Sequence, residues 1–277
     1  MQEITLKISE KTLINVKNNF DTISSSKNQL ITIHGLGTHG EWFSGLATLL
    51  EKNNINSIFF DLPGFGEPIQ ERGKIEFDNI WIKSIQKIWK YSVQNNPNKK
   101  NYLLGHSLGA VIALASIKKL NPKPDGLILT VPGLFPHPKT YDFFTFVLPT
   151  LYKVIFKSNE NVKLPIIKEI EDAVKKGEIT PEKLTEEISA KLFWQIQKII
   201  FKAWFSFLDL KDIPILLLLA GEDEVCSSFA SKIFFNLIPS KNKDLIIYEN
   251  FGHDLFIFPE SFQFNKKILN WILEKGI

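Results

Sequence analysis

The chain has 277 residues, of which 44% are hydrophobic and 23% are charged. This length suits one large domain, because single hydrophobic cores stop growing near roughly 250 to 300 residues. The hydrophobic content excludes a disordered chain. Lys and Arg exceed Asp and Glu by only three, and Arg72 is the single arginine. Nucleic acid is therefore not expected as a partner, since its recognition relies on arginine and on a clustered basic surface.

Cysteine content and hydropathy indicate in which cellular compartment the protein is expected. Cys226 is the only cysteine, so no internal disulfide can form. The first thirty residues alternate charged and apolar positions and lack the features of a signal peptide. The longest apolar run, residues 213–220, is far shorter than the ~20 residues of a spanning helix. We therefore expect a cytoplasmic protein, with any membrane contact peripheral.

Two short apolar runs open the chain, residues 4–8 and 13–17, and predict an antiparallel hairpin at a sheet edge. Six further runs rich in Ile, Leu and Phe predict buried strands; they are residues 29–34, 56–61, 101–106, 126–131, 213–220 and 244–248. Helical patterns separate them, as in residues 77–89, where apolar residues recur on one face. This alternation predicts a mostly parallel sheet with helices on both faces, because parallel strands need crossover connections.

The alternation stops after Gly133 and resumes at Ile213. The residues between carry helical and charged patterns without a convincing strand. We therefore predict a core domain of residues 1–133 plus 211–277 and an inserted helical cap of residues 134–210. The insert is rich in Phe and Trp. These rings either pack the insert onto the sheet domain or form an apolar lid, and both interpretations remain open.

The strongest motif is GHSLG at residues 105–109, which follows a predicted strand and precedes a helical stretch. A serine at the tip of such a sharp turn needs glycine two positions before and two positions after it, because side chains there would clash with the strand and helix. The turn exposes the Ser107 hydroxyl above a helix N-terminus, whose free amides favour an oxyanion. Ser107 is therefore the candidate nucleophile.

A serine nucleophile needs a histidine base. His34 and His39 flank the first glycine-rich loop, and His137 lies in the insert. His106 lies in the GHSLG motif, where we expect its side chain to point away from the nucleophile in a structural role. His253 follows the last predicted strand, and sites in open α/β sheets collect at the carboxyl ends of strands. It is the candidate base.

The base needs a carboxylate to orient it. The run 215–220 ends in Gly-Glu-Asp-Glu, thirty residues before His253, in the order serine, acid, histidine. We choose Asp223, because it is followed by apolar residues that return the chain to the core. Glu222 or Glu224 stays open as the alternative.

Acyl transfer also needs backbone amides that stabilise an oxyanion. Glycines at positions 35 and 37 allow the loop after the strand 29–34 to turn its Leu36 amide toward the Leu108 amide. A further glycine-spaced turn, DLPGFG at residues 61–66, lacks the G-K-[ST] ending of a phosphate loop, so we interpret it as a rigid turn.

In this order HGLG, DLPGFG, GHSLG, GED and GH resemble the α/β-hydrolase superfamily, from about residue 29 onward. GHSLG, a helical cap, LLLLAGEDEVC and IYENFGHDLF are similar to the monoacylglycerol lipase and lysophospholipase branch. The resemblance implies a mostly parallel eight-stranded sheet with helices on both faces and an inserted helical cap. It also implies a single-chain lipid ester as substrate and no metal or organic cofactor. Cys226 stands where monoacylglycerol lipases can carry a cysteine near the acyl pocket.

By the same resemblance, Ser107 is the nucleophile, Asp223 the acid and His253 the base, with Leu36 and Leu108 as the oxyanion amides. Other functions of such a site stay open. They are a carboxylesterase, a thioesterase or carbon–carbon bond hydrolase, a short-peptide peptidase, and a receptor that uses the pocket without catalysis.

Overall fold

The computed structural model describes residues 1–20, 25–67, 72–138, 150–152, 155, 161–164, 168–177, 183–256 and 261–276. Eight strands form the main sheet: β1 (Gln2–Lys7), β2 (Leu13–Asn18), β3 (Asn28–Ile33), β4 (Asn56–Phe60), β5 (Lys100–His106), β6 (Gly126–Thr130), β9 (Ile215–Ala220) and β10 (Lys243–Tyr248). Two shorter strands lie in the insert: β7 (Asn161–Lys163) and β8 (Glu187–Ser189).

The α-helices alternate with these strands: α1 (Ser44–Lys52), α2 (Ile80–Asn95), α3 (Leu108–Ser116), α4 (Lys168–Lys175), α5 (Ala190–Trp204), α6 (Ser228–Leu237) and α7 (Ser261–Lys275). Three short 3₁₀ helices accompany them: Gly40–Phe43, Ile117–Lys119 and Phe205–Leu210. Among the helices in the ranges given above, none is long and apolar enough to cross a membrane.

The main sheet runs in the order β1-β2-β4-β3-β5-β6-β9-β10. β1 pairs antiparallel with β2, and β2 pairs antiparallel with β4. Every other neighbouring pair is parallel. The predicted hairpin, the six predicted strands and the mostly parallel eight-stranded sheet are therefore confirmed. The strand order places β3, β5, β6 and β9 side by side, so their carboxyl ends meet at one edge.

Helices cover both faces of this sheet, as the strand and helix alternation predicts. On one face, α2 buries Trp81 and Trp89 together with the apolar side of α3. On the other face, α1 and α7 pack against each other, and Trp271 is almost wholly buried. Burying an aromatic side chain stabilises the fold by about 1.5 to 3 kcal/mol, so these two layers hold the sheet rigidly. The edge where the site lies is therefore built on a fixed scaffold.

The segment between β6 and β9, in which the insert of residues 134–210 is predicted, contains strands as well as helices. β7 and β8 pair antiparallel, with Asn161 opposite Ser189 and Lys163 opposite Glu187. The expectation that this segment carries no strand was therefore wrong. Three-residue strands are too short to show alternation in a sequence, and these two are separated by more than twenty residues. Several of the aromatic residues on which the lid interpretation depends lie outside the described residues: Phe143, Phe144, Phe146 and Phe156.

Candidate functional site

The GHSLG motif forms a sharp turn between β5 and α3. Ser107 has φ 53° and ψ −117°, a conformation that L-residues rarely adopt. A Cβ on Gly105 would lie 2.4 Å from the carbonyl oxygen of Gly109, and a Cβ on Gly109 would lie 2.1 Å from that of Ile33. Both contacts are far inside van der Waals distance, so only glycine fits at these positions. The turn thus holds the Ser107 side chain at the carboxyl edge of the sheet.

The three residues predicted for catalysis lie together at this edge. His253 Nε2 is 2.9 Å from Ser107 Oγ. His253 Nδ1 is 3.0 Å from Asp223 Oδ1 and 2.9 Å from Oδ2. Because a carboxylate only accepts hydrogen bonds, the proton lies on Nδ1, and Nε2 is left to accept the Ser107 hydroxyl proton. All three side chains are buried.

Backbone amides hold the Asp223 carboxylate in place. The amides of Val225 and Cys226 each donate to Asp223 Oδ1 at 2.8 Å. Asp223 is buried in the loop after β9, whereas Glu222 and Glu224 on either side of it are exposed. The structure therefore brings Asp223, and neither glutamate, against His253.

The loop of residues 34–38, after β3, faces the serine. A Cβ on Gly35 would lie 3.3 Å from the Ser107 Cβ, so glycine allows the close approach. The Gly35 carbonyl accepts hydrogen bonds from His34 Nδ1 at 2.8 Å and from Thr38 Oγ1 at 3.1 Å. Within the described part of the chain, the Leu36 amide has no hydrogen-bond acceptor. The loop is thus anchored with a free amide beside the serine.

The second predicted amide belongs to Leu108, the first residue of α3. The first amides of a helix have no acceptor within the helix. Leu36, Ser107 and Leu108 all line the same cavity. The two residues predicted to carry the oxyanion amides thus lie at the same cavity as Ser107.

His34 is the internal support of this edge. Its Nε2 accepts a hydrogen bond from the Leu62 amide at 2.8 Å, while its Nδ1 donates to Gly35. Burial lowers the pKa of His34 to about 4, so the ring is neutral at pH 7 and keeps one donor and one acceptor. It ties the loop after β3 to the loop after β4.

The turn of residues 61–66 is part of the same support. The Asp61 carboxylate accepts hydrogen bonds from the Gly40 amide at 2.7 Å and from the Glu67 amide at 2.6 Å. Gly66 has φ 61°, and a Cβ there would lie 2.2 Å from the Asp61 carboxylate. Trp81 Nε1 donates to the Pro63 carbonyl at 2.9 Å. The contact with Gly40 fixes the turn to the segment that follows the Leu36 loop, and the contact with Trp81 fixes it to α2.

His106 lies closer to His253 than the sequence indicated. Its ring centroid is 5.4 Å from that of His253, and its Nδ1 is 3.0 Å from Thr130 Oγ1. Its Nε2 is 3.7 Å from Asp254 Oδ1. Burial, and then His253, lower the pKa of His106 well below its usual value, so it is neutral. The pairing of β5 with β6 places Thr130 beside His106. The expectation that His106 points away from the nucleophile missed its contact with His253, which lies in the loop after β10.

Cys226 is buried at the same site. Burial, and then the Asp223 charge, raise the pKa of its thiol well above its usual value. Among the residues that the structure describes, the one group of metal-type ligands is Asp223, Cys226 and His253, whose ligand atoms lie within 4.8 Å of one another. The atoms of Asp223 and His253 are already engaged with each other and with Ser107, and a protonated thiol is a poor metal ligand.

A cavity of about 1150 Å³ opens above Ser107. Its volume exceeds the roughly 300 to 1,000 Å³ of pockets that enclose drug-sized ligands. The insert supplies most of its wall, and the apolar members of that wall include Val162, Leu164, Val174, Ile188, Phe193, Ile196, Ile200, Phe201 and Trp204. The cavity thus joins a polar floor at the serine to an apolar chamber under the insert.

Comparison with protein families shows to which family the chain belongs. The family model Hydrolase_4, described as serine aminopeptidase S33, matches residues 24–260. The chain belongs to this α/β-hydrolase family. The observed order of strands, the turn at Ser107 and the family match agree, so the fold is the α/β-hydrolase fold.

Individual relatives are distant in sequence, and a solved structure of low identity has a similar fold. The chain is 23% identical over 235 residues to phospholipase YtpA of Bacillus subtilis, covering 83% of this chain and 89% of the relative. It is 24% identical over 231 residues to human monoglyceride lipase, covering 80% and 74%. The crystal structure of a monoacylglycerol lipase from Paleococcus ferrophilus superposes with a TM-score of 0.77 at 22% identity, covering 95% and 99%.

Proposed function

We propose that this ester hydrolase cleaves the carboxylic ester of a single-chain lipid, of the monoacylglycerol or lysophospholipid type, through an acyl-enzyme on Ser107. The observation that carries the proposal is the continuous hydrogen-bonded path from Asp223 through His253 to Ser107, with contacts of 2.9 to 3.0 Å. Two of the relatives are a phospholipase and a monoglyceride lipase, which supports a lipid ester as substrate.

In the proposed mechanism, His253 Nε2 takes the Ser107 proton while Oγ attacks the ester carbonyl carbon. The carbonyl π electrons move to oxygen, and the amides of Leu36 and Leu108 stabilise that oxyanion. Its collapse breaks the bond to the alcohol oxygen, which leaves with the proton from His253. A water molecule then attacks the acyl-enzyme by the same route and releases the fatty acid. Asp223 keeps the Nδ1 proton in place and stabilises the imidazolium.

We propose that residues 134–210 act as the cap of this site and hold the acyl chain. Apolar side chains of β7, β8 and α5 face the cavity, among them Val162, Ile188 and Ile196. An alkyl chain there is removed from water, which stabilises the complex by about 0.8 kcal/mol for each buried CH₂ group. A chain that fills the chamber would therefore be preferred to a short one.

Charge in the cavity favours an uncharged alcohol over a phosphate head group. Among the described residues that line it, Lys175 is the one cation, and it is exposed on α4. The residues next to the catalytic groups are not cations, because Asp254 is acidic and His106 is neutral. Phosphates are usually bound by arginine or lysine, and a charge buried without a partner is costly. These features support monoacylglycerol as the better of the two lipid substrates.

A substrate panel tests this choice. We expect kcat/KM for a long-chain monoacylglycerol to exceed that for a lysophosphatidylcholine of the same chain by at least about tenfold, or about 1.4 kcal/mol, measured as fatty-acid release. Equal rates would overturn the head-group proposal. An acyl thioester and an aminoacyl anilide complete the panel. Turnover confined to either of those would overturn the proposed ester substrate.

Exposed aromatic residues lie at the cavity and next to it, and they support a peripheral contact with lipid surfaces. Phe201 and Phe205 are 67% and 61% exposed, and their ring centroids are 4.9 Å apart. Phe135 and Phe201 also line the cavity. Rings at the mouth would enter a bilayer and let a lipid pass directly into the site. We propose that the cap makes this contact.

The double variant Phe201→Ser, Phe205→Ser tests the contact. We expect its partitioning onto phosphatidylcholine vesicles, measured by sedimentation, to fall at least about tenfold, because two exposed rings are lost. Phe262→Ser is the matched control, since Phe262 is also 61% exposed but lies on α7, on the opposite face of the sheet. Equal loss in both variants, or loss in neither, would contradict a contact through the cap.

A further inference from the structure

One carboxylate joins the sheet to the insert beside the proposed oxyanion loop. Glu41 lies in the 3₁₀ helix Gly40–Phe43, directly after that loop. Its Oε1 accepts a hydrogen bond from Lys17 Nζ at 2.6 Å, and its Oε2 accepts one from Lys183 Nζ at 2.7 Å. Lys17 belongs to β2, whereas Lys183 belongs to the insert. The two lysines therefore hold one side chain from two different parts of the chain.

The insert also touches the loop through its backbone. Two residues after Lys183, the Thr185 amide donates to the Gly37 carbonyl at 2.9 Å. Gly37 has φ 77°, and a Cβ there would lie 3.0 Å from the Thr185 carbonyl oxygen. Thr185 is buried and lines the cavity above Ser107. The segment that leads into β8 thus lies directly on the residue after Leu36.

The charges of this clamp, Lys17, Glu41 and Lys183, persist at neutral pH. Hydrogen bonds from Lys17, and then from Lys183, lower the pKa of Glu41 to about 2. The hydrogen bond to Glu41 raises the pKa of Lys183. Glu67 Oε1 lies 3.6 Å from the same ammonium group. A carboxylate whose pKa is lowered in the folded state keeps its ion pair above its unfolded pKa, near 4.5, and loses it only as pH falls toward 2.

The two ends of the loop are held differently. On the side of Gly35, His34 and Thr38 hold the carbonyl from within the sheet domain. On the side of Gly37, the carbonyl accepts a hydrogen bond from the Thr185 amide, two residues after Lys183, which is paired with Glu41. The Leu36 amide shares a planar peptide group with the Gly35 carbonyl, so His34 and Thr38 act directly on its direction. The contact of Thr185 with the Gly37 carbonyl limits rotation of the loop on the other side of Leu36. Loss of the insert anchor would leave one end of the loop free to turn.

We infer that Lys183 is a positioning residue, which through Glu41 and the Thr185 backbone fixes the loop that carries the Leu36 amide. The inference rests on the proposed function, because the amide matters only if an oxyanion forms beside Ser107. The contacts of Lys183 and Thr185 with the core would then contribute to the oxyanion site.

The test is the variant Lys183→Met, which removes the charge and keeps the length of the side chain. With p-nitrophenyl butyrate we expect kcat to fall about three- to fivefold while KM changes less than twofold, because a partly exposed ion pair contributes modestly and acts on the transition state. Lys183→Arg should restore kcat to within twofold. Lys17→Met is the matched control, because it removes the other partner of Glu41 and leaves the insert attached. It should stay within twofold of the original chain.

Equal effects of Lys183→Met and Lys17→Met would overturn the inference, and so would an unchanged kcat or a change confined to KM. Hydrogen exchange of a peptide covering residues 35–43 provides a readout that needs no catalysis. Exchange should be faster in Lys183→Met than in Lys17→Met. If the original chain fails to hydrolyse the ester but this difference in exchange is found, the proposed function fails and the anchoring of the loop stands. If exchange does not differ, the anchoring fails.

Discussion

Replacing Ser107 with alanine should lower kcat/KM for an acyl ester by roughly 10⁴ to 10⁶, because the attacking oxygen is lost and His253 has no proton to take. The fold should persist, since the side chain removed is small and faces the cavity. The measurement is hydrolysis of p-nitrophenyl butyrate, with labelling of the original chain by a fluorophosphonate as a second readout. A Ser107→Ala chain that still turns over would refute the nucleophile assignment.

Ser107→Gly is the matched variant, and it separates catalysis from backbone strain. Ser107 has a positive φ of 53°, which costs a residue with a Cβ about 1 to 3 kcal/mol. Glycine relieves that strain and costs about 0.5 to 1 kcal/mol in chain entropy. We expect the free energy of unfolding in urea to be about 1 kcal/mol higher for the glycine variant than for the alanine variant, with both inactive. Lower stability of the glycine variant would show that the turn is not strained.

Asp223→Asn should lower kcat by roughly 10³ to 10⁴ with little change in fold. The asparagine carbonyl can still accept the amides of Val225 and Cys226, which now bond to Oδ1. Its NH₂ group then faces His253 Nδ1 and makes that nitrogen an acceptor. The ring proton moves to Nε2, where it points at Ser107 and prevents proton abstraction. The tautomer change is the cause of the loss.

Controls for this prediction lie on either side of Asp223. Glu222→Gln and Glu224→Gln remove the two carboxylates that the sequence left open for the same role, and both side chains are exposed. We expect each to keep kcat within about twofold of the original chain, measured with the same ester. A large loss in either, with Asp223→Asn still active, would transfer the role of the acid to that glutamate.

The sheet could be predicted because its signals are local. Buried strands such as β5 and β9 are apolar runs bounded by turn residues, and the GHSLG turn has steric rules that involve only its own strand and helix. The placement of His253 and Asp223 followed from their positions after β10 and β9, since the carboxyl ends of parallel strands share one edge. The structure places these side chains within hydrogen-bond distance of one another, while their catalytic roles remain predictions.

Contacts between distant segments could not be predicted. β7 and β8 are three residues each, and their pairing depends on the folded insert. The approach of His106 to His253 depends on the curvature of a loop after the last strand. The ion pairs of Glu41 with Lys17 and Lys183 join residues 24 and 142 positions apart. No spacing rule connects such residues, because tertiary packing alone brings them together.

Leu36 and Leu108 have a consequence for how this scaffold can diversify. Under the proposed mechanism their amides serve the reaction, while their side chains form part of the wall around the ligand. Replacing those side chains would change the shape of the chamber, while the backbone N–H groups that stabilise the oxyanion would remain. A descendant could therefore gain a preference for other acyl groups through substitutions at these two positions, while its catalytic groups stay unchanged.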